Sequence, residues 1–180
     1  LVDGQLLTDD LVSDIDFDCN NGIDIEHDIL KIAVIERHHN TGHIGNAFIK
    51  GIGLKEGAIA SSVAHDSHNL IVIGTNTDDM AFAANRIREL GGGIVSVKNG
   101  KVVAEMPLPI GGLMSCETAE RAAEENEKVR ESAYSLGVPK GFEPFMIMSF
   151  LSLPVIPHLK LTTKGLVNVD TQSEVPLAAE

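Results

Sequence analysis

The sequence predicts an α+β domain: a mostly antiparallel sheet, made of a meander plus an Asn-Gly hairpin, packed with two main helices. Three observations predict it. Short apolar runs rich in β-branched residues recur at close spacing between residues 29 and 73. Asn99-Gly100, a pair favoured in two-residue hairpin turns, separates the apolar runs 94–97 and 101–106. Two segments, 77–90 and 117–136, carry apolar residues at helical spacing.

In chain order, residues 1–28 are acidic, with Asp9, Asp10, Asp14, Asp16, Asp18, Asp24, Glu26 and Asp28, and read as a solvated connector with a weak strand near Leu6 and Leu7. Residues 29–35, Ile-Leu-Lys-Ile-Ala-Val-Ile, read as a buried strand. A second strand spans 46–54, a third 58–63 and a fourth 70–73, with the connections short enough for a meander. The helix over 77–90 has Thr77 as candidate cap, Asp78 and Asp79 at its positive end, and Met80, Ala83, Ala84, Ile87 and Leu90 on one face. Gly91-Gly92-Gly93 stops it. The hairpin follows, then a stiff connector containing Pro107, Pro109, Gly111 and Gly112. Ser115 is the candidate cap of the helix 117–136, whose buried stripe is read as Ala119, Ala122, Ala123, Val129, Ala133 and Leu136, ended by Gly137 and Pro139. Residues 145–153 are a short helix or a buried loop, 166–169 a last short strand, and 171–180 a frayed tail. The domain proper is therefore expected over 29–170.

The chain has 180 residues, enough for one domain with a real core. Aromatics make up 4% and Trp is absent, so Ile, Val, Leu, Ala and Met must fill that core. A net charge of -12 repels phosphate, which argues against nucleic acid and anionic membranes as partners. No apolar run approaches the length of a membrane span, and no basic segment precedes an apolar one as in a signal peptide. Cys19 and Cys116 make no disulfide framework, which fits a reducing cytoplasm. The start at Leu1 rather than Met is read as the mark of a piece of a longer polypeptide.

Five of the seven histidines lie between residues 38 and 68, in two clusters. Glu36-Arg37-His38-His39 ends the first strand; His65-Asp66-Ser67-His68-Asn69 joins the third to the fourth. Imidazole beside carboxylate can bind a metal, move protons or read the edge of a heterocycle. The plain alternative is that both are solvated turns, and that alternative is stronger still for His27, His43 and His158. A metal site of His65, Asp66 and His68 lacks the further ligands at matched spacing that such sites use. Gly51-x-Gly53-x-x-x-Gly57 has the wrong spacing for a dinucleotide fingerprint, and no phosphate loop or nucleophile elbow is present.

Six colinear stretches carry a resemblance. They are residues 31–39 (Lys-Ile-Ala-Val-Ile-Glu-Arg-His-His), 57–69 (Gly-Ala-Ile-Ala-Ser-Ser-Val-Ala-His-Asp-Ser-His-Asn), Gly91-Gly-Gly93, 108–115 (Leu-Pro-Ile-Gly-Gly-Leu-Met-Ser), 149–157 (Ser-Phe-Leu-Ser-Leu-Pro-Val-Ile-Pro) and 161–167 (Leu-Thr-Thr-Lys-Gly-Leu-Val). The chain resembles the C-terminal domain of adenine deaminases, metal-dependent amidohydrolases, over about residues 23–170. The resemblance implies conversion of adenine and water to hypoxanthine and ammonia, a step in purine salvage. It implies a divalent metal (manganese, iron or zinc) held by a separate (β/α)8 barrel. Such a barrel takes about 250 residues and carries a His-x-His signature that this sequence lacks, so no metal ligand is expected here and the domain alone is expected to be inactive. Within the resemblance, His65, Asp66 and His68 are the catalytic candidates; Asn69, Ser67, Glu36, His38 and His39 are candidates for binding substrate. The expected partners are adenine, the enzyme's own barrel and further copies in a homo-oligomer. The competing readings are a domain that only packs or oligomerises, and an autonomous His/Asp metal-binding domain.

Overall fold

The computed structural model describes residues 1–177 except 3, 4, 14 and 19. Cys19, Asp14 and the last three residues of the expected tail lie outside the described residues.

Its centre is a six-stranded sheet of β1 (Ile29–Ile35), β2 (Ile44–Lys50), β3 (Ala58–Ser61), β4 (Leu70–Gly74), β5 (Gly93–Lys98) and β6 (Lys101–Pro107). The order is β2-β1-β4-β3-β5-β6 and each neighbouring pair is antiparallel. The α+β class and antiparallel pairing agree with the sequence; the simple meander does not. β2 and β3 are not neighbours. The hairpins β1–β2 and β3–β4 join through β1 and β4 instead, with Ile35 opposite Leu70. β1 and β4 are buried on both faces, whereas β2 keeps alternating exposed positions and so suits an edge.

Helix α1 (Thr77–Leu90) connects β4 to β5 across β3. Its true N-cap is Asn76, not Thr77: the Asn76 side chain accepts from the Asp79 N–H. Met80, Ala83 and Ile87 pack on one face of the sheet against Ala33, Ala58, Ala60, Val72, Val95 and Val97. Small side chains on that face let the helix lie close. Gly91, at φ 75°, supplies the left-handed residue that ends the helix. The Asn99-Gly100 turn forms as expected, both residues at positive φ.

The other face of the sheet carries Ile32, Val34, Ile59, Ile71 and Ile73, packed with Leu136, Val138, Met148, Leu151 and Leu161. Helix α2 (Ala119–Ser135) is capped by Thr118 rather than Ser115. Its buried residues are Val129, Ser132 and Ala133; Ala119 and Ala123, expected in the stripe, are exposed. The stretch after it is a helix, α3 (Pro144–Phe150), not a loop. A second sheet of β7 (Leu159–Thr162), β8 (Gly165–Asn168) and β9 (Ser173–Val175) lies beside β2. Only β8 has a counterpart in the sequence reading, and β9 falls in the expected frayed tail.

The acidic N-terminal segment touches this body. Thr8 makes an isolated bridge with His158 in place of the strand expected near Leu6, Ile23 is buried, and the Asp28 carboxylate accepts from the N–H groups of Gly51 and Gly53, each at 2.9 Å. Among the described residues no helix is long and apolar enough to cross a membrane.

Candidate functional site

Pairing of β1 with β4 decides where the chemistry-bearing residues meet. Because Ile35 faces Leu70, the residues leaving β1 lie beside those entering β4. The two histidine clusters, 26 residues apart in sequence at His39 and His65, therefore share one sheet end. His38 Nε2 lies 2.7 Å from the Ser67 carbonyl. A carbonyl only accepts, so His38 carries its proton on Nε2. Arg37 ties the clusters further: its Nε donates to the His68 carbonyl at 2.6 Å, and its backbone N–H lies 3.4 Å from Asn69 Oδ1.

Glu36 organises the first cluster. Its carboxylate accepts from the N–H groups of His38 (2.6 Å), His39 (2.8 Å) and Thr41 (3.0 Å) and from the Thr41 hydroxyl (3.0 Å). These donors, Thr41 foremost, outweigh desolvation and hold its pKa at about 2. The group is thus a fixed anion and a turn former, not a proton shuttle. His39 lies with Nδ1 3.5 Å from Glu36 Oε1, but its side chain is 81% exposed.

The second cluster is a tight turn closed on itself. The His68 N–H donates to the Ala64 carbonyl at 2.6 Å, and the Ala64 N–H donates to His68 Nδ1 at 3.3 Å. With Nδ1 an acceptor, a neutral His68 ring bears its proton on Nε2. Burial lowers the His68 pKa, and His65, Arg37 and His38 push the same way against Asp66. Neutral imidazole is the form this setting favours. His65 is braced from α3: its N–H donates to Ser149 O at 2.7 Å, and its ring centroid lies 4.7 Å from that of Phe150 and 5.6 Å from that of His68. Asp66 and Ser67 are exposed at the tip of the turn, and Asn69 is buried at its foot.

Among the described residues no three His, Cys, Asp or Glu side chains gather in a way that could hold a metal ion. The autonomous metal site of His65, Asp66 and His68 therefore finds no support in the geometry. A cavity of about 590 Å³ lies elsewhere, between the N-terminal segment and the β2 and β7–β9 strands, lined by Leu11, Phe17, Phe48, Ile49, Leu161 and Leu177 among others. None of the candidate histidines lines it, so volume and chemistry do not coincide, and the histidine edge is the better site on chemical grounds.

Comparison with known proteins decides the family. The family model described as "Adenine deaminase C-terminal domain" matches residues 5–173. The chain belongs to the adenine deaminase C-terminal domain family. It is 51% identical over 172 residues to the adenine deaminase of Brucella abortus (strain 2308), covering 94% of this chain and 29% of that protein. It is 53% identical over 149 residues to adenine deaminase 1 of Rhizobium meliloti (strain 1021), covering 83% of this chain and 26% of that protein. It is 52% identical over 153 residues to adenine deaminase 2 of Carboxydothermus hydrogenoformans, covering 85% of this chain and 27% of that protein. The chain thus spans under a third of the length of these relatives.

Two parts of this adenine deaminase C-terminal domain escape a reading of the sequence alone. One is Arg37, passed over between Glu36 and His38. The other is the 108–115 loop, read as a stiff connector. Arg37 Nη2 donates to Gly111 O at 2.8 Å, and the buried Ser62 hydroxyl donates to Gly112 O at 2.6 Å while accepting from the Gly93 N–H at 2.8 Å. The loop presents Ile110, Leu113 and Met114 as exposed apolar side chains beside the histidine edge. Its Pro-Ile-Gly-Gly run was the available signal.

Proposed function

We propose that this domain is the C-terminal part of an adenine deaminase, which converts adenine and water to hypoxanthine and ammonia in cytoplasmic purine salvage, and that its histidine edge helps form the mouth of the active site. The observation that carries the reading is the meeting of two histidine clusters at one sheet end, in a chain half-identical to proteins named adenine deaminase. A purine base is flat and apolar on its faces and carries ring nitrogens that accept hydrogen bonds at its edge. The His68 Nε2–H offers a donor without charge, and Ile110, Leu113 and Met114 offer apolar contact nearby. Asn69 and Glu36 support the edge from behind rather than facing substrate.

The divalent metal of the parent enzyme does not fit the donor set described here, because no three ligating side chains converge. The role of this domain is accordingly to bind, orient and exclude water, with the barrel of the same polypeptide as its packing partner and a homo-oligomer as the assembled form. The same exposed apolar loop also favours a second reading, a domain that only packs against that barrel.

Steady-state kinetics of the full-length parent separate the two. Under the active-site reading, His65→Ala and His68→Ala each lower kcat/KM for adenine by about tenfold or more, the loss of one half-buried imidazole at the mouth. Parental values in both variants would overturn it and leave the packing role.

A further inference from the structure

Arg37 is built into the fold in an unusual way. Burial lowers its pKa, and among the described residues it has no carboxylate within ion-pair distance, although the chain holds 26 acidic residues. Arg86, Arg121 and Arg130, by contrast, each pair with glutamates. The Arg37 guanidinium is spent on main-chain carbonyls: Nε on His68 O at 2.6 Å and Nη2 on Gly111 O at 2.8 Å. Those two acceptors belong to separate loops, and a planar guanidinium can hold both at a fixed angle where an ammonium cannot. The backbone of Gly112 is pressed against it. A Cβ there would meet Nη2 at 2.6 Å and Nη1 at 2.7 Å, so the loop is fitted to the guanidinium.

His68 is what this arrangement fixes. Its φ of 48° lies in the left-handed region, which few residues with a side chain occupy, histidine more readily than most. The Ala64 N–H holds the ring at Nδ1 and the Ala64 carbonyl accepts from the His68 N–H; Arg37 donates to the carbonyl of His68 itself. Both sides of the residue are pinned, which leaves Nε2 as the free donor with a defined direction.

We propose that Arg37 is a positioning residue for adenine deamination: by clamping the 65–69 turn to the 108–115 loop it fixes His68 for hydrogen bonding to the purine ring. The proposal rests on the reading of the histidine edge as part of the active-site mouth. Arg37 itself does not touch substrate; its effect passes through His68.

A double-mutant cycle in the full-length parent tests it, with kcat and KM for adenine and the melting temperature measured for Arg37→Ala, Arg37→Lys, His68→Ala and the Arg37→Ala/His68→Ala double variant. Arg37→Ala is expected to lower kcat/KM about tenfold or more, and Arg37→Lys to restore little of it, since charge without the fork does not reach both carbonyls. The double variant is expected to lose about as much as His68→Ala alone, because the arginine has nothing left to position. If Arg37→Ala does not fold, Arg37→Lys against His68→Ala carries the same comparison. Parental activity in Arg37→Lys, or losses that multiply in the double variant, would overturn the proposal while leaving the site intact. A silent His68→Ala would also overturn the proposal, and only with a silent His65→Ala beside it would the active-site reading fall as well.

Discussion

Glu36 and Lys160 are two buried or nearly buried charges with opposite consequences for stability. The Glu36 side chain is 10% exposed and collects four donors, so replacing it with Gln turns one acceptor oxygen into a donor facing the Thr41 N–H. Its pKa is lowered from 4.5 to about 2, so its stabilisation is complete above about 4.5 and fades as pH falls toward 2. Glu36→Gln should therefore melt below the parent at pH 7, with the gap closing below pH 4; a gap unchanged across that range would contradict the assignment. Lys160 is 1% exposed, and among the described residues its ammonium donates only to the Leu6 carbonyl, at 3.0 Å. Burial lowers its pKa from 10.5 to about 8. Between those values the unfolded chain binds the proton that the folded chain does not, so stability rises with pH over about 8 to 10.5. Thermal melts of Lys160→Met should lack that rise; an identical pH profile in the variant would contradict it. Glu36 and the histidines were visible in the sequence because strand ends crowded with polar residues are conspicuous. Arg37 and Lys160 were not, since what matters for each is a carbonyl contributed by a distant segment: Gly111 for one, Leu6 for the other.

Secondary structure was more legible than its assembly. Residues 77–90 and the Asn99-Gly100 hairpin are where local pattern placed them, because a helical stripe and a turn dipeptide are local signals. Caps shifted by one to three residues: Asn76 stands before Thr77, and Thr118 lies just beyond Ser115, with each alternative a competent cap. Sheet order was hidden, because nothing within 29–35 or 70–74 says that these strands pair with each other rather than through β2 and β3. Asp79 shows how α1 is tied to the rest. It is 3% exposed and accepts from Asn76 Nδ2, the Asn99 N–H at 3.1 Å and the Gly100 N–H at 2.7 Å, joining the helix start to the hairpin turn. Burial raises its pKa, but those donors together outweigh it and leave the group below its ordinary value. Asp79→Ala strands two backbone donors and should cost about 2–4 kcal/mol in denaturant unfolding, more than the roughly 1 kcal/mol of a lost cap in Asn76→Ala. Equal costs for the two would mean that the hairpin contacts contribute nothing.

The whole molecule is a layered scaffold: α1 on one face of the six-stranded sheet, α2, α3 and the small sheet on the other. Its histidine edge is held by β1, the turn before β4 and the 108–115 loop, but the described residues offer no three-ligand metal site. The proposed role is a supporting part in a reaction whose metal centre lies outside this domain. Ammonia release from adenine, followed for the 180-residue chain alone and for the full-length parent in the same manganese-, iron- or zinc-supplemented buffer, tests that assignment most directly. The account predicts turnover by the parent and none by the isolated chain. Metal-stimulated ammonia release by the isolated chain, at a rate approaching that of the parent, would contradict it.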